Sequence, residues 1–543
     1  MIHSVSMQLH RATTSVLLAL IASFTTLCNA ADVEFTLRAY VDSVAIKPGA
    51  LTEVWRYGGT LVTGNSNTVA NLASSSIGPI IRVQQGDMLV VHFQNDLPEA
   101  TNVHWHGLDI PAAQDGYATD LVAAGASRDI TFTVLNPAGT YWFHPHPDMT
   151  TAHQVMKGLA GMIIVEDAAE RALDLPSGAL EIPMVLQDRS FTAKNQLIYA
   201  PSMTEMMIGW VGNTMMINGY IDTSFDVPTR VHRLRLLNGC NSRSFKLAWN
   251  DATPMMVIGN DGGLLSAPRS GGYLMLGPGE RADVWADFST LAVGSTRTLL
   301  SQAFHPGQSQ GAIPNGAALT VATFSATSAQ TETRTLPTSL VAIEQYLLKD
   351  AANPTTPRAW PIGFSNNEFT LNGGVFVDHG VAANEIVPCD TLEYIEITNI
   401  ATTLRMAHPF HLHGRSLQVI ERTNLSGNAT AYANVVAGFN DSGWKDTFLI
   451  WPGERVRFLV RWSAFAGDYV YHCHLLEHEE MGMMRTVRIE PCPLLGDLNN
   501  DGAVNDADLA LLLGGWGTAA GDVNADGSTD ASDLSMLLGN WGA

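Results

Sequence analysis

The sequence predicts an all-β protein of three β-domains, followed by a small helical module at the C-terminus. The segment 454–462, ERVRFLVRW, alternates apolar and arginine side chains with the period of a half-buried strand. The segment 85–97 places a turn before a β-branched run, and 48 glycines and 25 prolines punctuate the chain. Many short strands separated by turns are typical of sandwiches and barrels.

A repeated pair of motifs indicates duplicated domains. HWHG at 104–107 matches HLHG at 411–414, and AGTYWFHPH at 138–146 matches AGDYVYHCH at 466–474. Both pairs occur in the same order and at similar spacing, so chance recurrence of short words is a poor explanation.

The repeats set the expected domain limits. We expect β-domains over 32–170 and 360–491, with a divergent copy over 175–327 between them. The Ser- and Thr-rich stretch 325–340 is the expected linker before the last β-domain. After Pro491 the composition changes, and residues 494–543 form the expected separate module.

Residues 1–30 have the features of an export signal. Arg11 precedes an apolar run that ends at Leu27, and small residues continue to Ala30. The run is short for a membrane span, so we expect cleavage near Ala30 and a secreted or periplasmic protein with no membrane span. The net charge of −22 argues against a nucleic-acid partner.

The expected mature chain keeps Cys240, Cys389, Cys473 and Cys492. Four cysteines in a chain of this length do not make a disulfide scaffold. If Cys473 binds a metal, three cysteines remain, so we expect one disulfide at most. The sequence does not indicate which two of the three cysteines form it.

Four His-x-His pairs indicate a multinuclear metal site. On a strand, alternate side chains lie on the same face, so each pair presents two imidazoles together. Eight imidazoles from two duplicated domains can hold three metal ions at the interface between them. The pairs are His104 with His106, His144 with His146, His411 with His413, and His472 with His474.

The segment YHCHLLEHEEMGMM at 471–484 indicates a further, single-ion site. Two histidines, one cysteine and a weak axial methionine are the ligands of blue electron-transfer copper. Cys473, His478 and Met483 supply three of these, and His408 is available as the second histidine. Because its neighbours His472 and His474 face the other way, Cys473 would connect this copper to the multinuclear group.

These segments resemble the multicopper oxidases, in particular the bacterial cuprous oxidases, laccases and bilirubin oxidases. The resemblance covers about 32–491 and includes GLAGMIIVED, RLRLLNGCNSRSF and GNDGGLLSAP. It implies three cupredoxin-like Greek-key domains and four copper ions. The implied ligands are His408, Cys473, His478 and axial Met483 for type 1 copper, His104 and His411 for type 2, and the trios His106–His144–His474 and His146–His413–His472 for the type 3 pair.

The resemblance also implies the reaction. Electrons would be taken singly from a small-molecule or metal-ion donor and used to reduce O2 to water. Asp115 and Glu479 lie where the family places proton-relay groups. Phenols, aromatic amines or bilirubin-like pyrroles are the expected donors, and the alternative is a cuprous or other metal-ion oxidase serving copper tolerance. A copper-binding protein without turnover is disfavoured because a carrier needs only the blue site.

The tail carries two loops with the oxygen-ligand spacing of calcium sites. Each places Asp, Asn and Asp at positions 1, 3 and 5, Gly at 6 and Asp at 12. The tandem copies resemble type I dockerin repeats, which implies calcium and a cohesin-like or surface-anchoring partner. The expected ligands are Asp497, Asn499, Asp501, Asn505 and Asp508 in the first loop, and Asp522, Asn524, Asp526, Asp530 and Asp533 in the second.

Overall fold

A computed structural model describes residues 32–307, 311–365, 368–399, 405–425, 429–499 and 501–542. The expected export signal and its cleavage site at Ala30 lie outside the described residues. Within the described ranges, no helix is both long and apolar enough to cross a membrane.

The first sheet pair contains two four-stranded sheets with the strand orders β2-β1-β5-β6 and β3-β4-β8-β7. Strand β5 follows the expected turn at 85–87, and its alternate residues Leu89, Val91 and Phe93 are buried. The strands are β1 (Asp32–Val44), β2 (Thr52–Thr63), β3 (Val69–Ala70), β4 (Ile80–Gln84), β5 (Met88–Asp96), β6 (Ser127–Thr133), β7 (Gly139–Phe143) and β8 (Gly161–Glu166).

The middle sheet pair has a six-stranded sheet, β10-β9-β12-β17-β14-β15, and a five-stranded sheet, β11-β19-β18-β13-β16. The predicted linker begins too early, because residues 325–328 still belong to β19, which pairs with β11 and β18. The strands are β9 (Glu181–Arg189), β10 (Thr214–Ile217), β11 (Ser224–Pro228), β12 (Val231–Asn238), β13 (Phe245–Trp249), β14 (Met255–Asn260), β15 (Gly263–Gly271), β16 (Leu274–Leu276), β17 (Arg281–Asp287), β18 (Thr296–Ser301) and β19 (Leu319–Ser328).

The last sheet pair has the strand orders β22-β21-β24-β28-β26, with β20 beside β24, and β23-β30-β29-β25-β27. The strand predicted at 454–462 is confirmed as β28, whose Val456, Phe458 and Val460 are buried. The strands are β20 (Arg358–Ala359), β21 (Ile362–Ser365), β22 (Glu368–Leu371), β23 (Ile386–Val387), β24 (Leu392–Asn399), β25 (His408–Leu412), β26 (Leu417–Asn424), β27 (Thr447–Ile450), β28 (Glu454–Arg461), β29 (Gly467–Cys473) and β30 (Met484–Ile489).

Helices are short, and three of them pack together near the predicted copper ligands: α1 and α3 both contact α5. In the tail, α6 and α7 pack on each other around Val504, Leu512 and Leu537. The helices are α1 (Thr151–Lys157), α2 (Ala168–Arg171), α3 (Met203–Ile208), α4 (Ala429–Ala433), α5 (Leu476–Glu480), α6 (Asp506–Gly514) and α7 (Ala531–Gly539).

One disulfide joins Cys389 to Cys492, while Cys240 and Cys473 are free and buried. The pairing follows from strand register. Strand β23 lies parallel to β30, with Val387 beside Ile489, so the chain segments that leave these two strands run side by side. The bond therefore closes a loop of 103 residues around most of the last sheet pair.

Removing this bond is expected to destabilise the last sheet pair. A cross-link over about 100 residues restricts the unfolded chain, and native disulfides typically contribute about 2–4 kcal/mol. Cys389→Ser should lower the free energy of unfolding by that amount in denaturant titrations. Reductant should shift the wild type to the same midpoint and leave the variant unchanged; a variant as stable as the oxidised wild type would contradict the expectation.

Candidate metal centre

Three donor side chains of the last sheet pair converge on one point. His408 begins β25, Cys473 ends β29 and His478 lies in α5. The Cys473 Sγ lies 3.4 Å from His408 Nδ1 and 3.6 Å from His478 Nδ1, and the two Nδ1 atoms are 3.3 Å apart. All three side chains are buried. The structure therefore assembles the predicted trio as a triangle of one sulfur and two nitrogens.

The protonation states of this triangle fit a bound cation. His478 Nε2 donates a hydrogen bond to the carbonyl oxygen of Met207 at 3.1 Å, so its Nδ1 turns a bare lone pair towards the other two donors. Burial lowers the pKa of His478 to about 3, which keeps the ring neutral, and it raises the pKa of the Cys473 thiol above its usual range. A soft metal ion would satisfy the lone pairs and stabilise the thiolate.

The triangle of His408, Cys473 and His478, which we call the blue-site trio, is enclosed on several sides. Phe369 stacks on the His478 ring at 4.0 Å between centroids. Met207 and its neighbour Ile208, in α3, pack against the hydrophobic cluster that contains Cys473 and Met483. Met483 is buried, and its carbonyl oxygen accepts a hydrogen bond from the backbone N–H of Cys473 at 3.0 Å. Met483 thus lies beside the trio, and its role as an axial ligand stays a prediction.

Strand β29 separates the blue-site trio from the paired histidines. It pairs with β25 so that His472 lies opposite His411 and Cys473 opposite Phe410. Because side chains alternate along a strand, Cys473 points into the core of the last sheet pair while His472 and His474 point to the other face. One residue of backbone therefore separates the sulfur donor from each of these two imidazoles.

The eight paired histidines meet where the first and last sheet pairs adjoin, and we call them the histidine cluster. Their side chains are buried, and a short antiparallel bridge joins His104 to His144 within the first sheet pair. The members are His104, His106, His144, His146, His411, His413, His472 and His474.

Five ring nitrogens of the cluster face one another across the domain boundary. His472 Nε2 lies 3.1 Å from His146 Nε2 and 3.2 Å from His413 Nε2, and His104 Nε2 lies 3.4 Å from His411 Nε2. The predicted trio His146–His413–His472 and the predicted pair His104–His411 are thus brought together. In four of these rings the other nitrogen, Nδ1, has an acceptor: Asp115, Asp446 or the Cys473 carbonyl. The facing nitrogens of those four rings therefore present lone pairs.

The rings of the predicted trio His106–His144–His474 lie near one another, with centroids 5.1 to 5.7 Å apart. Among the donor nitrogens that lie within 4.8 Å of one another, those of His106 and His144 are grouped with His104. His106 Nδ1, His144 Nε2 and both nitrogens of His474 are buried atoms that have no hydrogen-bond partner within the described chain. Unsatisfied buried nitrogens are costly, and a metal ion supplies the missing partner. The trio therefore fits a metal ion.

Burial keeps much of the cluster uncharged. It lowers the pKa of His146 to about 3 and lowers the pKa of other members well below the usual range of histidine. Neutral imidazole is the form that binds metal ions. The members with such strongly lowered values are His106, His144, His411, His413 and His474.

Both predicted proton-relay carboxylates contact the cluster. Asp115 lies between His104 Nδ1, at 3.1 Å, and His413 Nδ1, at 2.9 Å. Glu479 lies 3.1 Å from His472 Nδ1. Burial raises the pKa of Asp115. Burial would also raise that of Glu479, but the neighbouring histidines outweigh it and the pKa falls to about 2.

Sequence reasoning did not identify several polar residues beside the cluster. Asp446 and Thr447 lie 3.1 Å from His106 Nε2, and Arg281 of the middle sheet pair donates to Asp446. No spacing rule marks these residues, because their partners are distant in sequence. The motif GWKDTF at 443–448, which places two charged residues inside an apolar segment, was the available signal.

The two tail loops are folded alike. In each, the Asp at position 1 accepts hydrogen bonds from the backbone N–H groups of positions 5 and 6, and the Asp at position 12 accepts from positions 2, 3 and 9. The residues at position 9, Asn505 and Asp530, are the N-caps of α6 and α7. The predicted oxygen ligands are thus gathered within each loop.

Comparisons with known proteins agree with this geometry. Two profiles described as "Multicopper oxidase" match residues 56–170 and 351–492. The "Bilirubin oxidase" of Albifimbria verrucaria is 31% identical over 82% of this chain and 78% of its own. The "Laccase" of Bacillus stratosphericus is 29% identical over 81% and 91%.

Solved structures show the same architecture. The multi-copper oxidase from Pediococcus acidilactici superposes with a TM-score of 0.70 and 31% identity, covering 84% of this chain and 88% of that one. The mostly β, cupredoxin-like fold of these oxidases is therefore shared across the three sheet pairs. The chain belongs to the multicopper oxidase family and is a copper-dependent oxidoreductase with dioxygen as its electron acceptor.

Proposed function

We propose that the chain binds four copper ions and couples the one-electron oxidation of a reducing donor to the four-electron reduction of O2. The observation that carries the proposal is the set of buried lone pairs that face each other at 3.1–3.6 Å in two separate groups. Bound copper would supply one-electron redox chemistry at both. The proposed ligands are His408, Cys473, His478 and Met483 for type 1 copper, His104 and His411 for type 2, and His106–His144–His474 and His146–His413–His472 for type 3.

The chain itself provides the connection between the two groups. Cys473 lies in the blue-site trio, and its two sequence neighbours lie in the histidine cluster. Electrons accepted at the trio would travel through the Cys473 side chain and one residue of backbone to His472 or His474. No mobile carrier is needed between the two places.

Asp115 and Glu479 are proposed to relay the protons that O2 reduction consumes. Each is buried and touches imidazoles of the cluster rather than bulk solvent. A carboxylate at hydrogen-bond distance can pass a proton to the reacting oxygen or take one from the solvent side.

We propose phenols, aromatic amines or bilirubin-like pyrroles as donors. The relatives named laccase and bilirubin oxidase support this choice. A donor of this size would give its electron at the edge of the blue-site trio, where the short helix α3 contacts His478.

A cuprous or other metal-ion donor is the second candidate, and the cover over the trio favours it. His478 Nε2 is held by the Met207 carbonyl, so this ring edge is closed to a bulky molecule. Helix α3 also carries Met203, which is 70% exposed, and Met206. Thioether sulfur prefers Cu(I), so a row of methionines could pass that ion inward.

We further propose export across a membrane and calcium binding in the tail loops. The apolar run of the first thirty residues supports export to the periplasm or the outside of the cell. The loops gather carboxylate and amide oxygens around a tight turn at Gly502 and Gly527, both with positive φ. Calcium would stabilise this module, and a cohesin-like or surface-anchoring partner is its proposed ligand.

Comparing donors tests the proposed function directly. Oxygen uptake by the copper-loaded protein should be measured with a bulky phenol and, separately, with Cu(I). Turnover with the phenol supports the preferred donor class. Uptake with Cu(I) alone would contradict it and support the metal-ion oxidase. In that case, replacing Met203 and Met206 by leucine should depress Cu(I) oxidation.

Replacing the sulfur donor should abolish the blue copper. Cys473→Ser removes the thiolate but keeps the size of the side chain, so the blue absorption and turnover should be lost while circular dichroism stays unchanged. Cys240→Ser is the matched control, because Cys240 is also free and buried. Retention of the blue colour in the Cys473 variant would refute the assignment.

Neutralising the relay carboxylates should slow O2 reduction selectively. Asp115→Asn and Glu479→Gln keep shape but cannot carry the proton, so kcat should fall by about 10²- to 10⁴-fold. Anaerobic reduction of the blue site by the donor, followed by stopped flow, should keep its wild-type rate. Asp120→Asn, at an acid that pairs with Arg128 in the same loop region, is the control. Equal losses in both half-reactions would argue against a relay role.

A further inference from the structure

A buried ion pair connects the middle sheet pair to the histidine cluster. Asp446 immediately precedes β27 and is fully buried, as is Arg281 at the start of β17. Arg281 Nη1 donates to Asp446 Oδ1 at 2.6 Å, and its Nη2 donates to Oδ2. Two parallel bonds of this kind fix the orientation of a carboxylate as well as its position.

Arg281 joins all three sheet pairs. Besides Asp446 of the last pair, its Nε donates to the Thr140 carbonyl of β7 at 3.0 Å. Its Nη2 donates to the Asp261 carbonyl of the middle pair at 2.9 Å, and its Nη1 to the Gly279 carbonyl at 3.0 Å. The guanidinium is therefore held by partners from every sheet pair, and it transmits their relative positions to Asp446.

Asp446 in turn holds His106. Its Oδ1 lies 3.1 Å from His106 Nε2 and accepts the Thr447 hydroxyl at 2.8 Å. A carboxylate paired with a guanidinium is an acceptor, so His106 Nε2 carries the proton and His106 Nδ1 is the bare nitrogen.

This tautomer is opposite to that of neighbouring rings. His104, His144 and His411 donate from Nδ1 to carbonyl oxygens and therefore turn Nε2 towards the cluster. His106 presents Nδ1, which is close to the ring's attachment to the backbone. The position of His106 Nδ1 therefore depends more directly on the backbone at His106 than the position of Nε2 would.

The backbone next to His106 packs tightly against the ion pair. Gly107, which follows His106, has φ +88°, and an added Cβ would lie 2.5 Å from Arg281 Nη2 and 2.6 Å from Asp446 Oδ2. On the other side, a Cβ on Gly279 would lie 2.9 Å from the His474 ring. The ion pair therefore lies in van der Waals contact with the turn that sets the His106 ring.

We propose that the Arg281–Asp446 ion pair is a positioning device for the His106–His144–His474 trio, contributed in part by the middle sheet pair. Arg281 fixes Asp446, and Asp446 selects the Nε2–H tautomer of His106 and aims its Nδ1 into the trio. The described part of the middle sheet pair supplies none of the clustered histidines, so this is its contribution to the site. The metal held by the trio rests on the proposed function.

Copper loading tests the device in the full-length protein. Arg281→Gln and, separately, Asp446→Asn should be loaded with copper and compared with wild type for total copper, blue absorption and electron paramagnetic resonance. Loss of a residue behind a metal ligand typically weakens metal affinity or activity by about 10- to 100-fold. We expect total copper to fall, or the electron paramagnetic resonance signal of the cluster copper to increase because the two ions of the type 3 pair no longer couple magnetically. The blue absorption per chain should stay unchanged.

Arg235→Gln is the matched control. Arg235 is also fully buried in the middle sheet pair and forms ion pairs with Glu181 and Asp283. Its Nη1 donates to the Thr140 side chain, so it also reaches the first sheet pair. The control should lose comparable stability but keep wild-type copper content and resonance. If both arginine variants lose cluster copper alike, or if neither loses any, the proposed role of Arg281 is wrong.

A copper-free readout separates this inference from the proposed function. Nitrogen chemical shifts of ¹⁵N-histidine-labelled protein distinguish bare from protonated ring nitrogens, and His106→Asn assigns the signals. Wild-type His106 should be the Nε2–H tautomer, and Asp446→Ala should lose that preference. An Nδ1–H tautomer in the wild type would overturn the inference whatever the copper content. A wild type that takes up no blue copper would contradict the proposed function instead.

Discussion

Mutual repulsion between buried lone pairs is the constraint on which the site depends. Neutral imidazole nitrogens and one thiol sulfur face each other at 3.1 to 3.6 Å, in buried positions. Burial lowers the pKa of His146 and of His478 to about 3, so protons do not relieve the repulsion at these rings at neutral pH. A cation among the donors converts the arrangement from costly to stable. Metal binding and the docking of the first sheet pair on the last are therefore thermodynamically coupled.

The β-architecture explains how two groups of donors lie so close without merging. Alternation along β29 sends Cys473 into the core of one sheet pair and its neighbours across the domain boundary. Duplicated strands bring the facing His-x-His pairs from the first sheet pair. The middle sheet pair contributes no ligand of its own within the described residues. Its Arg281 and Asp261 side chains instead orient the residues behind the ligands.

Much of this was readable from the sequence, and the rest was not for identifiable reasons. Period-two alternation predicted β28, and the duplicated motifs predicted the donors, because both depend on short-range spacing. The linker was placed too early because Ser- and Thr-rich composition does not exclude a strand, and β19, which pairs on both sides, runs to Ser328. The ion pair from Arg281 to Asp446 and the cover by Met207 depend on register between distant segments, which spacing does not encode.

Anomalous diffraction at the copper absorption edge, from crystals of the copper-loaded protein, would locate the bound ions. One peak is expected among His408, Cys473 and His478, and three peaks are expected within the histidine cluster. A cluster without copper peaks, or copper bound outside these two groups with both left empty, would contradict this expectation.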